Sequence, residues 1–127
     1  MDYQIEIKFK NLLNKLGEKF NGPMDMESVL FLIGVQELGN GYQKFSKRQK
    51  LELIHVATCT ILIPYGIYEK IGRDEDNWPH FKLVKELPAL EEAEQTHLIK
   101  EAIMAYFEDM DNKPTEIEVR ESLKESQ

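Results

Sequence analysis

The chain contains 127 residues, with 16 Lys and Arg against 23 Asp and Glu, which gives a formal net charge of -7. This length is typical of one domain that buries a sizeable core. The negative charge is concentrated in residues 66–127, where acidic side chains outnumber basic ones two to one. Because an acidic surface repels a phosphate backbone, the composition disfavours nucleic acid as a partner.

Cysteine usage and hydropathy indicate a cytoplasmic protein. The chain has a single cysteine, Cys59, which excludes an intrachain disulfide and suits a reducing compartment. No apolar run approaches the ~20 residues that span a bilayer, and the first residues lack the basic and apolar pattern of a secretion signal. We therefore expect no membrane partner.

Two helices are predicted before residue 40. The first has an apolar stripe that faces a core, and the turn at residues 21–23 ends it. The stripe contains Ile5, Phe9, Leu12, Leu13, Leu16 and Phe20. Asp25 is placed to cap the second helix, and Gly39 is placed to end it.

A third helix is predicted to lie at the centre of the fold. Ser46 and Gln49 have the spacing of a capping box, and Pro64 is expected to end the helix. Residues 51–63 are apolar nearly all round, which is typical of a buried helix. The same run carries Glu52, His55, Thr58 and Cys59. We therefore expect a partly polar core, in which these groups form either a structural network or a site.

Residues 68–88 are predicted to contain no long helix. A short helical continuation is expected over residues 68–71. The two prolines that follow indicate a long ordered loop over residues 72–88, with an extended piece at 81–84. Residues 90–110 then show the period of another amphipathic helix.

The predicted fold is all-α. It is a single-domain bundle of about four main helices over residues 1–112, with a long loop that contains Trp78 and Pro79. Residues 113–127 are an acidic tail that is expected to be a short helix or frayed.

Three residues form the main candidate for a polar pocket: Glu37, His55 and Cys59. Glu37 shares a stripe with apolar residues at the carboxyl end of the second helix, where a negative charge needs compensation, and Lys50, Tyr42 or His55 could supply it. His55 and Cys59 are one turn apart. A carboxylate, an imidazole and a thiol could bind zinc or act as nucleophile and base. Against this, Cys59 lies in the most apolar stretch, where a thiol is a small buried hydrophobe, and Glu37 could simply turn to solvent.

Two Glu-x-x-His tetrapeptides suggest a different metal site. Glu52 and His55 form the first, and Glu94 and His97 form the second, a spacing that resembles the paired motif of ferritin-like di-iron bundles. The projection of the last helix places His97 opposite its apolar face, so this histidine is expected to face water. The pattern therefore favours one buried and one solvated histidine over a metal centre, and we expect no cofactor.

Protein partners are the remaining candidates. Trp78, His80 and Phe81 lie in the acidic loop, where the aromatic rings either cover the core or present a hot spot to another protein. Lys47 and Arg48 belong to a basic cluster that either is a solvated first turn or receives an acidic segment. Because two helices are apolar on several faces, a homodimer that buries part of the second or third helix is a reasonable hypothesis.

Three short phrases suggest a family. They are residues 31–39, residues 55–59 and residues 77–80, and together they resemble a group of small bacterial proteins known only as helical proteins of unknown function. The resemblance covers roughly residues 24–108 and implies a helical fold, with no activity, cofactor or catalytic residue. The sequence therefore favours a small non-catalytic interaction or accessory protein, and the alternative is a metal-binding or ligand-binding protein, or an enzyme, that uses Glu37, His55 and Cys59.

Overall fold

The computed structural model describes residues 3–41 and 43–111, so the predicted tail lies outside the described residues. In chain order the elements are α1 (Tyr3–Phe20), α2 (Met26–Leu38), α3 (Lys47–Ile61), β1 (Tyr68–Arg73), β2 (Pro79–Leu83) and α4 (Glu92–Asp111). Within these ranges, none of the four helices has both the length and the apolar character needed to cross a membrane.

The helix termini follow the sequence signals. The carboxylate of Asp25 accepts from the N–H of Ser28 at 2.8 Å, which caps α2. Gly39 ends α2 in the left-handed conformation with a φ of 80°, and its N–H donates to the carbonyl of Val35. At α3, the reciprocal bonds between Ser46 and Gln49 measure 3.1 and 2.9 Å, so the capping box is present as predicted.

The prediction of an all-α fold is wrong, because β1 and β2 form a two-stranded antiparallel sheet. Residues 68–71 were expected to continue a helix, but they open β1. The strand is hard to recognise because its pairing shifts between Lys70 and Gly72, which interrupts the alternation of inward and outward side chains that marks a strand. The extended piece expected at residues 81–84 corresponds to most of β2.

The core lies between the helices and the base of the sheet. Its largest cluster draws on α1, α2, α3, α4 and the segment before β1. The buried members are Phe9, Val29, Leu30, Ile33, Ala57, Ile61, Leu62, Ile67, Ala102 and Ile103. On the outside, Lys100 of α4 donates to Glu6 of α1 at 2.7 Å and lies over the ring of Phe9, which joins the first and last helices.

The central helix does not bring polar side chains into the core. Among the described residues no polar or charged residue is buried as a whole, and Glu52 and His55 are exposed. The hydroxyls of Thr58 and Thr60 donate to backbone carbonyls one turn earlier in α3, which satisfies them within the helix. The expectation of a partly polar core is therefore wrong, whereas Cys59 is buried as a small hydrophobe, which confirms that interpretation.

Candidate functional site

The sheet forms a hairpin whose base is fixed to the core. Ile67, just before β1, is buried, and its carbonyl accepts from the N–H of Val84 at 2.8 Å and of Lys85 at 3.3 Å. Tyr68 packs against the main core cluster. The chain therefore enters and leaves the hairpin at one anchored point.

The far end of the hairpin is fixed to α2 by Arg73. Its guanidinium donates to the carbonyl of Glu37 at 2.6 Å and to the carbonyl of Leu38 at 3.1 Å. These carbonyls belong to the last turn of α2, where the helix leaves acceptors unpaired and the dipole favours a cation. Arg73 also donates to the carbonyl of Asn77 at 2.8 Å, so one side chain joins α2, β1 and the turn.

Asp74 organises the turn between the strands. One carboxylate oxygen accepts from the N–H groups of Asp76 and Trp78, at 2.9 and 3.0 Å. The other accepts from Nε2 of His80 at 2.8 Å. The hydrogen bond from His80 is the main cause that lowers the pKa of Asp74, and the bond from the Trp78 backbone adds to it. The turn is thus held by an ionised carboxylate.

Of the aromatic candidates in this region, Trp78 covers part of the core. It packs against a second cluster of buried residues formed by Leu38, Phe45 and Leu53. Phe81 is half-buried, whereas His80 is exposed and bound to Asp74. The structure therefore favours the covering role for the Trp78 ring.

Anchored at both ends, the hairpin still leaves large apolar side chains in water. We define the hairpin arm as residues 68–87. Ile71 is 61 % exposed, Leu83 51 %, Val84 56 % and Leu87 44 %. These are four of the nine large hydrophobic side chains that are exposed among the described residues. The arm is therefore the part of the described surface where exposed apolar side chains are most concentrated along the chain.

A groove runs along the first half of α4. Its volume is about 360 Å³, within the range of ligand pockets, and its apolar lining comes from Leu90, Ala93 and Leu98. Glu94, His97 and Glu101 supply its polar lining. We call this the α4 groove.

The polar groups of the α4 groove are only partly satisfied. Nδ1 of His97 is buried and has no hydrogen-bond partner in the described part of the chain. The prediction that His97 faces water is therefore wrong. Glu101 accepts from the Tyr65 hydroxyl at 3.1 Å, and burial together with Glu101 raises the pKa of Tyr65 to about 12. Neither Glu94 nor Glu101 forms an ion pair with a described residue. The groove is apolar and acidic, and one of its ring nitrogens lacks a partner.

Glu37 has two hydrogen-bond partners that the sequence did not predict. Its carboxylate accepts from the hydroxyl of Tyr106 at 3.3 Å, and burial followed by the charge of Glu37 raises the pKa of Tyr106. Its backbone carbonyl binds Arg73. Of the expected partners, Tyr42 lies outside the described residues. Glu37 thus joins α2 to α4 and to the hairpin.

His55 and Cys59 do lie together, but not in a form that supports thiol chemistry. Sγ of Cys59 is 3.6 Å from Nε2 of His55, which is exposed. Burial raises the pKa of the Cys59 thiol to about 11, and a side-chain hydrogen bond with Tyr68 only partly opposes this. A nucleophilic cysteine requires a lowered pKa and access to solvent, and Cys59 has neither.

The described residues contain no group of three His, Cys, Asp or Glu side chains that could bind a metal ion. Glu37, with its carboxylate bound to Tyr106, is not joined to His55 and Cys59. Lys47 and Arg48 are exposed, and Arg48 pairs with Glu52 at 3.3 Å on the same helix, which is a solvated ion pair of the first turns.

Comparison with protein-family models, with curated proteins and with solved structures gave no match. The function must therefore be inferred from the hairpin arm and the α4 groove themselves.

Proposed function

We propose that this chain is a small, non-catalytic interaction protein of the cytoplasm, and that the hairpin arm is its protein-binding surface. The observation that carries the proposal is the combination of anchoring and exposure. Arg73 and Trp78 fix the far end of the hairpin, Ile67 fixes its base, and the apolar side chains between and after these anchors face water.

Energetics support this interpretation. An isolated two-stranded hairpin is at best marginally stable, so its order here depends on the anchors. Burial of apolar surface contributes about 25 cal/mol per Å², and the exposed side chains of Ile71, Val84 and Leu87 gain little of it within the chain. A partner that covers them would recover this free energy without first ordering the surface, which lowers the entropic cost of binding.

The open edges of the sheet add a second means of binding. In the described part of the chain the sheet has two strands, so β1 and β2 each have one edge without a neighbouring strand. Such an edge presents backbone donors and acceptors that an extended segment can pair with. Lys70 and Lys82 lie in these strands, and charged side chains at an edge discourage unspecific pairing.

Site-specific photo-crosslinking in the cells that make the protein tests the proposal. A photoreactive phenylalanine analogue replaces Ile71 in one variant and Val84 in another. The control carries it at Lys10, an exposed position of α1. We expect adducts of defined mass from positions 71 and 84 and none from position 10, and we expect Leu83→Ser to weaken them. Equal labelling from all three positions, or no adduct from any, would contradict the proposal.

A further inference from the structure

The partner that binds the hairpin arm can be inferred from the apolar and charged side chains before and after Pro88. Before it, residues 82–87 are all exposed and contain three apolar, two basic and one acidic side chain. After it, the α4 groove has an apolar lining and two carboxylates without a basic partner among the described residues. One segment is complementary to the other in both respects.

We propose that the partner is a second copy of this chain, and that residues 82–87 of each copy occupy the α4 groove of the other. This inference rests on the proposed function and names its partner. Leu83, Val84 and Leu87 would cover Leu90, Ala93 and Leu98, and Lys82 and Lys85 would approach Glu94 and Glu101.

Symmetry favours self-association over a one-way contact. The donor segment ends at residue 87 and the groove begins at Leu90, so both lie beside one point of the surface. A two-fold axis near that point forms both contacts at once and closes the assembly as a dimer. The contact differs from one through α2 and α3, which pack closely against each other at Gly34 and Leu53.

Sedimentation equilibrium of charge-reversal variants tests the dimer. We expect the unmodified protein to be dimeric at high micromolar concentration. Lys85→Glu and Glu94→Lys should each raise the dimer dissociation constant roughly tenfold or more, because each places like charges opposite one another. Lys10→Glu and Glu18→Lys, exposed positions of α1, are the matched controls and should leave the constant unchanged.

Mixing distinguishes a contact between copies from one within a copy. If Lys85 of one chain meets Glu94 of the other, an equimolar mixture of Lys85→Glu and Glu94→Lys forms a heterodimer in which both contacts are again opposite in charge. The mixture should then recover the affinity of the unmodified protein. Recovery in the double variant alone, with none in the mixture, would show a contact within one chain and overturn the proposal.

Two other outcomes also overturn the dimer. One is a protein that stays monomeric at every concentration. The other is a dimer whose dissociation constant is unchanged by both Lys85→Glu and Glu94→Lys. The crosslinking experiment keeps the two proposals apart. Adducts from positions 71 and 84 with a different protein would leave the interaction function standing while the second copy fails, whereas adducts of twice the chain mass would support both.

Discussion

The guanidinium of Arg73, a residue of the hairpin, donates to the backbone carbonyl of Glu37 at 2.6 Å. This bond caps the carboxyl end of α2. A single strand residue thus performs the role that a basic side chain of the last helical turn usually performs. The last turn of α2 contains no such residue. The stability of the helix end and the position of the hairpin therefore depend on the same side chain.

Removing this side chain should destabilise the fold. We expect Arg73→Ala to lower the free energy of unfolding by about 1 to 2 kcal/mol, because charged donors to two helix-terminal carbonyls are lost at a partly solvated site. Urea denaturation measures the change. Lys70→Ala, an exposed basic position of the same strand, is the control and should have a much smaller effect. Equal losses in both variants would contradict the capping role.

The close approach of α2 and α3 at Gly34 gives a second prediction. A Cβ at this position would overlap the backbone carbonyl of Leu53, so the helices would have to separate. We expect Gly34→Ala to cost about 1 to 3 kcal/mol, the range seen for overpacked cores, despite the higher helix propensity of alanine. Thermal or urea unfolding tests this. Gly22→Ala is the control, since a Cβ there meets nothing within 4 Å, and a harmless Gly34→Ala would refute the packing argument.

The Asp74 turn should contribute to acid sensitivity. The hydrogen bond from His80, and then that from the Trp78 backbone, hold the pKa of Asp74 below its ordinary value of 3.8. A carboxyl with a lowered pKa stabilises the fold above its unfolded pKa, and the contribution is lost as the pH falls through the folded pKa. The loss should therefore occur below pH 3.8.

Asp74→Asn removes this titration. We expect the difference in unfolding free energy between the unmodified protein and this variant to shrink as the pH is lowered from neutrality towards 2. Glu75→Gln, the exposed neighbour in the turn, is the control at neutral pH, where it should lower the free energy of unfolding less than Asp74→Asn does. A pH-independent difference for Asp74→Asn would mean that the carboxylate does not hold the turn.

The Cys59 thiol should be inert in the folded protein. Burial raises its pKa to about 11, so at neutral pH the thiolate is scarce as well as inaccessible. We expect a thiol reagent at pH 8 to modify Cys59 only at the rate of unfolding, and rapidly once denaturant is added. Fast stoichiometric labelling without denaturant would contradict this prediction and support a reactive thiol at Cys59 beside His55.

Local signals in the sequence identify the helices but not the sheet. Asp25, Ser46 and Gly39 act through bonds to residues three or four positions away, so their roles are legible in the chain. The bond from Arg73 to Glu37 spans 36 positions, and no local pattern predicts it. The bulge at residues 70–72 further obscured the strand period.

The same distinction explains the candidate site. Burial of Cys59 was predictable from its apolar neighbours, whereas the exposure of the two histidines was predicted wrongly. His55 is exposed beside Cys59, and Nδ1 of His97 is enclosed. Helical projection assumes that the apolar face alone decides burial. Which other sides of a helix are buried depends on the segments that pack there. On α4 one such segment is the one whose Tyr65 hydroxyl donates to Glu101.

Amide hydrogen exchange across the hairpin tests most directly the claim that the chain holds a rigid docking surface. We expect the paired amides of β1 and of residues 80–83 to be protected nearly as strongly as those of α2, and to lose that protection selectively in Arg73→Ala. Exchange of the hairpin amides at the rate of an unstructured peptide, while α2 and α3 stay protected, would contradict the account.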